Sequence, residues 1–466
     1  MDIKLTNLKN QPMKRNKAKR ITIVISLVIT VILAAGVIYM NPILPIITGY
    51  SAKNMASGVF VAGRTPESMV STDLNFSFIK FTKKKIDFEK KEVTSSFLWH
   101  KSRAVYIDGF GCSLVNDFKK EEILNRPYSR VKIVPENPDT VAWPAGDKLS
   151  GIIPSGVNME KMNTAVNKAF ADTIPHKGTF AVMVVYKGEP IIEKYKTGLS
   201  NKNLFLSWSM AKSIANALTG ILVKEGKIDI NKPIGFAEWQ TDGRKNITIS
   251  NLMQMNSGLE WNEDYGNQSD VNNMLHKEGD FGTFTLNKPL ASPIGLKWVY
   301  SSGSTNIVSL IIRKTIGNDS EYYAFPRTSL FNKIGMRSAI MEVDASGTFA
   351  ASSYMYASIR DYARFGLLFL NKGNWLGEQI LPEGWTDYST TEATGSEGQY
   401  GAFFWINKSG IFYPDVPADM FCCRGHDGQY IYIIPSKQLV VVRTGFSKKG
   451  MFDLNEFLSG ITNSIE

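Results

Sequence analysis

Residues 21–40 form a twenty-residue run without a charge, and no charged residue occurs between Arg20 and Lys53. At about 1.5 Å per helical residue such a run matches the roughly 30 Å hydrocarbon core of a bilayer. It predicts a single transmembrane helix over 21–40. Residues 1–20 carry Lys4, Lys9, Lys14, Arg15, Lys17, Lys19 and Arg20 against one acid, Asp2. A basic flank of this kind stays in the cytoplasm. The chain is therefore expected to be a single-pass protein of the cell (inner) membrane, with everything after residue 40 in the periplasm or on the cell surface. The basic flank also argues against burial of this run in a soluble core. A cleaved signal peptide is the competing reading, because Ala34-Ala35-Gly36 offers a small-x-small site. The run continues through Val37-Ile38-Tyr39-Met40, longer than a signal peptide needs, which favours an uncleaved anchor.

Beyond this tail little of the net charge of +10 remains, and no basic stripe is interleaved with aromatics, so nucleic acid is not expected as a partner. The three cysteines, Cys112, Cys422 and Cys423, are too few for a disulfide framework. The histidines His100, His176, His276 and His426 are scattered, with no metal-ligand spacing, and no cofactor is expected.

Residues 41–150 read as a small β-rich extracytoplasmic region, with short strands at 58–63 and 104–109, each closed by glycine. Six lysines within 80–91 suggest a solvated face, and 135–139 a turn-rich linker. From 151 to 466 the pattern is more regular. Helices are expected at 159–171, from Ser209 to Gly226, at 305–315, 358–370 and 452–461. Strands are expected at 180–186, 191–195, 430–434 and 439–442. Strands early and late, with helices between, fit an α+β fold whose sheet is closed by both ends of the chain around an inserted helical region.

Three stretches can carry chemistry. In Ser209-Met210-Ala211-Lys212 the serine and lysine are three apart, on one face of a helix. A serine is a poor nucleophile until a neighbour takes its proton, and a lysine can do so when burial suppresses its charge. In Tyr300-Ser301-Ser302-Gly303, a tyrosine at the end of a strand-like 296–300 can relay protons if cationic neighbours lower its pKa. In Gly425-His426-Asp427-Gly428-Gln429, glycines let backbone approach a ligand, and N–H groups there can stabilise an oxyanion. His426 and Asp427 suggest a Ser-His-Asp triad, but neighbours on an extended strand point to opposite faces, and no Gly-x-Ser-x-Gly elbow is present. Trp261, Tyr265, Phe403, Phe404 and Trp405 are candidates to line a site or to fill the core.

These motifs, in this order, resemble those of the class C β-lactamase-related serine hydrolases, a group that includes esterases, D-amino-acid peptidases and 6-aminohexanoate-dimer hydrolase. Glu225-Gly226-Lys227-Ile228-Asp229, Asn256-Ser257-Gly258-Leu259 and the run Arg360 to Gly366 are similar to the group as well. The resemblance covers about 150–460. It implies a β-lactamase/DD-peptidase-like antiparallel sheet flanked by helices, with a mostly helical inserted domain. It also implies Ser209 as nucleophile, Lys212 as its deprotonating partner and Tyr300 as general acid/base. The N–H groups of Ser209 and Gln429 would form the oxyanion hole, with Gly428, His426 and Ser302 beside the substrate. Ser302 stands where β-lactamases of this class carry asparagine, and His426 where they carry the lysine of Lys-Thr-Gly. Both departures argue against an efficient β-lactamase. The expected activity is acyl-enzyme hydrolysis of a small or peptide-like ester or amide by an enzyme held at the membrane by its N-terminal helix. The alternatives are a non-hydrolytic penicillin-binding or cell-wall-sensing protein on the same scaffold, and a structural envelope protein.

Overall fold

A computed structural model describes residues 11–171, 177–448 and 450–466. The first ten residues of the basic tail and His176 lie outside the described residues. Helix α1, Gln11–Met40, contains the segment Lys19–Met40, long and apolar enough to cross a membrane, none of it buried against the protein.

Helix α2, Leu44–Phe60, follows almost at once. It takes up residues 58–60, where a strand was expected. The reason is burial on all sides. Thr48, Ser51, Lys53, Asn54 and Ser57 are as buried as Leu44, Ala52 and Met55, so no helical stripe shows in the sequence. On one side α2 covers the antiparallel sheet β1 (Lys83–Asp87), β2 (Glu92–Phe97), β3 (His100–Ile107) and β4 (Gly111–Leu114), which includes the strand expected near 104–109. On the other side it meets the helix Asp270–His276, so closely that a Cβ on Gly49 would lie 2.5 Å from the His276 carbonyl. Lys53 forms a buried ion pair with Glu342, and the same carboxylate accepts from Ser57 Oγ and the Cys112 N–H, both at 2.7 Å. A buried charge needs this degree of pairing, so the pair welds α2 and β4 to the body.

The body is built on a six-stranded antiparallel sheet in the order Trp405–Ile406, Phe421–Gly425, Gln429–Ile434, Leu439–Ser447, β5 (Lys177–Tyr186) and β6 (Glu189–Tyr195). The late strands pair directly with the early hairpin, and both faces are covered. Ala181, Met183, Val185, Ile431, Ile433, Val440 and Val442 point into the larger core with the helix Ile359–Leu370. Val182, Val184, Tyr432, Ile434 and Val441 point to the other side, against the helices Met159–Ala169 and Leu454–Thr462. Burial of alternate residues on opposite faces explains why these strands read as continuous apolar runs. Between the two halves of the sheet lies the mostly helical region, including Ser302–Ile316, capped by the Ser301 side chain and closed by Gly317 in the left-handed conformation. Residues 296–300, expected to be strand-like, are not assigned to a strand; the Val299 N–H donates to the Met255 carbonyl at 2.8 Å.

Candidate active site

The Ser209 helix begins with a tight turn. Trp208–Met210 is a single 3-10 turn leading into Ala211–Lys224. Trp208 has φ of +44°, a left-handed conformation that a bulky residue adopts only when its surroundings hold it there. They do so through ring contacts, with His426 at 5.6 Å, Tyr354 at 6.1 Å and Tyr50 of α2 at 6.4 Å. The strain falls next to Ser209.

Lys212 Nζ lies 2.9 Å from Ser209 Oγ, 2.9 Å from Ser302 Oγ and 2.9 Å from the Ser352 carbonyl. Ser302 donates its own proton to Glu263 Oε1 at 2.5 Å, so toward Lys212 it acts as an acceptor. The Ser352 carbonyl is an acceptor as well. A neutral amine has two N–H bonds and one lone pair. With both N–H bonds committed to Ser302 and Ser352, the lone pair faces Ser209. Burial lowers the Lys212 pKa to about 8, and the negative charge of Glu263 opposes the shift.

Glu263 was not singled out in the sequence, although its neighbours Trp261 and Tyr265 were. In the fold its carboxylate accepts from Ser302 Oγ, the Ser302 N–H, Trp261 Nε1 and Tyr265 OH. The only sequence signal was a carboxylate flanked at i−2 and i+2 by aromatic side chains that carry hydrogen-bond donors.

Tyr300 joins the same cluster. Lys212 Nζ sits 5.0 Å from its ring centre, and Tyr300 lines the same cleft as Ser209. Its pKa moves opposite to expectation. Burial and then the Glu263 charge push it above the usual value, and Ser209 and Arg424 offset this only in part. Tyr300 is thus a proton holder, and Lys212 is the group that titrates near neutrality.

The cleft in front of Ser209 has a volume of about 500 Å³, within the range of small-molecule sites. Gly425, His426, Asp427 and Gly428 line one wall, with Tyr300, Trp405 and Arg424 nearby. Gln429 does not line it. Its side chain donates to the Gly445 carbonyl at 2.6 Å and accepts the Gly445 N–H at 3.1 Å, and it borders a different pocket. These contacts are made by the side chain; the backbone N–H expected to serve the oxyanion belongs to the first residue of the strand Gln429–Ile434. A Cβ on Gly425 would stand 2.2 Å from the Ser207 carbonyl, so only glycine allows this turn so close to the residues that lead into Ser209. Gly428, at φ of +92°, has its carbonyl bonded by the buried Arg443 at 2.7 Å. His426 and Asp427 are in contact, Nε2 to Oδ1 at 3.2 Å, contrary to the strand-based expectation. Asp427 adopts φ of +57°, so the pair lies in a turn rather than on a strand. Of the aromatic candidates, Tyr265 and Trp405 line the cleft, Trp261 serves Glu263, and Phe403 and Phe404 are core.

A serine and a partly neutral lysine at hydrogen-bond distance, beside a protonated phenol and between a helical region and an antiparallel sheet, define a serine hydrolase of the esterase/amidase type. Residues 170–450 match the Beta-lactamase family model, and the chain belongs to that family. A 6-aminohexanoate-dimer hydrolase of Paenarthrobacter ureafaciens is 25% identical over 299 residues, covering 57% of this chain and 72% of the relative. Two solved structures share the fold. One, from Bacillus anthracis and assigned as a 6-aminohexanoate-dimer hydrolase, gives a TM-score of 0.56 at 22% identity, over 72% of this chain and 89% of that one. The other, a family VIII carboxylesterase, gives 0.53 at 16% identity, over 68% of this chain and 99% of that one.

Proposed function

We propose that this protein is a membrane-anchored serine hydrolase that cleaves an ester or amide through an acyl-enzyme on Ser209. In this reading residues 1–20 are a cytoplasmic tail, 21–40 the anchor, 41–150 an extracytoplasmic N-terminal region and 151–466 the catalytic domain. The observation that carries it is the 2.9 Å contact of Ser209 with Lys212, whose other two oxygen neighbours among the described residues are both acceptors.

The chemistry follows from that geometry. Neutral Lys212 accepts the Ser209 proton as Oγ bonds to the carbonyl carbon, and the π pair moves onto the carbonyl oxygen. In this reading the backbone N–H groups of Ser209 and Gln429 stabilise that oxyanion. As the intermediate collapses, the bond to the leaving oxygen or nitrogen breaks. Tyr300 gives that atom a proton and regains one from Lys212, which holds the proton taken from Ser209. Water then adds to the acyl carbon, its proton returns along the same relay, and Ser209 leaves with its hydroxyl restored. Labelling by a fluorophosphonate followed by peptide mapping tests this reading. The adduct is expected on Ser209, and a folded protein that stays unlabelled there refutes it.

A further inference from the structure

The surface around the end of α1 is apolar. Phe78, Leu98 and Trp99 are 48%, 61% and 52% exposed. Trp99 Nε1 donates to Asn41 Oδ1 at 3.4 Å, which ties the tip of the β2–β3 hairpin to the residue after α1. Phe78 leans on Phe97 of that hairpin, ring centres 6.0 Å apart. Lys83 and Lys101 flank Ser96 in the ladder, and both are exposed, as is Lys80. Exposed aromatics with lysines at the mouth of an apolar helix are the composition that settles at an anionic lipid surface.

A groove of about 550 Å³ starts at this surface. It runs from Tyr39 and Ile43 past Ile46 and Phe76 to Tyr265 and His426. The last two also line the cleft of Ser209, and their rings stack 4.7 Å apart at 21°. The groove and the catalytic cleft therefore share one wall. The groove is apolar at the α1 end, with Ile43, Ile46, Phe76 and Phe78, and polar toward the cleft, with Gln268, Asp427 and Lys448, a division that suits an acyl chain carrying a polar head.

We propose that the Phe78, Leu98 and Trp99 face rests on the lipid surface, and that the groove receives the acyl chain of a membrane-resident ester whose carbonyl reaches Ser209. The inference rests on the membrane-anchored hydrolase reading and specifies its substrate class. The bond broken is the acyl–oxygen bond; the fatty acyl group passes to Ser209 and then to water, and the alcohol leaves with a proton.

The test uses the full chain in vesicles of phosphatidylcholine and phosphatidylglycerol, with p-nitrophenyl palmitate in the vesicles and p-nitrophenyl butyrate in solution. Ile46→Asp and, separately, Phe78→Asp are expected to lower palmitate turnover about tenfold or more, with butyrate turnover held within about twofold. Retained butyrate turnover also reports that each variant has folded. Equal losses on both esters, no loss on palmitate, or a wild-type protein that cleaves butyrate and not palmitate overturns the inference and leaves the hydrolase reading standing. A wild-type protein that cleaves neither ester and takes no label at Ser209 removes both.

Discussion

Glu263 reaches Lys212 through a single hydroxyl. Ser302 Oγ gives its proton to Glu263 at 2.5 Å and accepts one from Lys212 at 2.9 Å. The carboxylate thus sets the direction of the Ser302 proton and, through it, the direction of the amine's lone pair. Its charge also raises the Lys212 pKa against the stronger effect of burial.

Replacing Glu263 by glutamine separates the two effects. Loss of the charge lowers the Lys212 pKa, so the ascending limb of the kcat–pH profile should move to lower pH. Glutamine keeps one acceptor oxygen and puts an NH2 in place of the other, so one pair of the donors around Glu263 loses its acceptor, Ser302 is less firmly held, and the plateau kcat should fall about tenfold. A plateau loss with an unmoved limb would mean that Glu263 acts on Lys212 through geometry alone.

In the wild-type protein, kcat/KM should rise with pH through about 8, as Lys212 gives up its proton and becomes able to accept one from Ser209. Because the Tyr300 pKa is raised, no falling limb from its ionisation is expected below pH about 10. Tyr300→Phe should lower kcat about a hundredfold with little change in KM, since proton transfer acts in the transition state. Steady-state kinetics on a short p-nitrophenyl ester across pH checks all three statements.

Gly428→Ala should impair catalysis more than folding. A Cβ there would stand 2.2 Å from Arg443 Nη1, and φ of +92° is strained for alanine. The Arg443 contact to the Gly428 carbonyl would be lost and the 425–428 turn displaced. The expected result is a kcat lowered about tenfold or more, with the melting temperature moved by only a few degrees.

Lys53→Met should cost about 3–5 kcal/mol, because it leaves the Glu342 carboxylate buried without its cation. Pairing it with Glu342→Leu should recover part of that loss. Denaturant unfolding monitored by tryptophan fluorescence gives both numbers.

Much of the catalytic body was legible because its elements carry local signals. Ser358 and Gly317 mark helix ends that the structure keeps, whereas the cap of the helix expected over 305–315 is Ser301, ahead of its expected start. The strands around Val184 and Ile431 read clearly because each is buried on both faces. Helix α2 was not legible, since packing between two layers buries its polar residues and erases the period on which a sequence reading depends. Ser209, Lys212, Tyr300 and Ser302 were identified by motif and are brought together in the fold. Glu263 and Arg443 escaped notice because each acts through a residue far away in the chain, Ser302 and Gly428. The contact of His426 with Asp427 was missed because a positive φ at Asp427 turns two neighbours toward each other.

Tyr50 stacks on Trp208, the residue before Ser209, and it belongs to α2 rather than to the stretch matched by the family. Where a protease cuts therefore decides what it releases. In the membrane-anchored reading proposed above, cleavage between Met40 and Leu44 would shed a working catalyst into the surroundings. Cleavage after Phe60 would strip the prop from under Trp208 and silence the enzyme as it is set free.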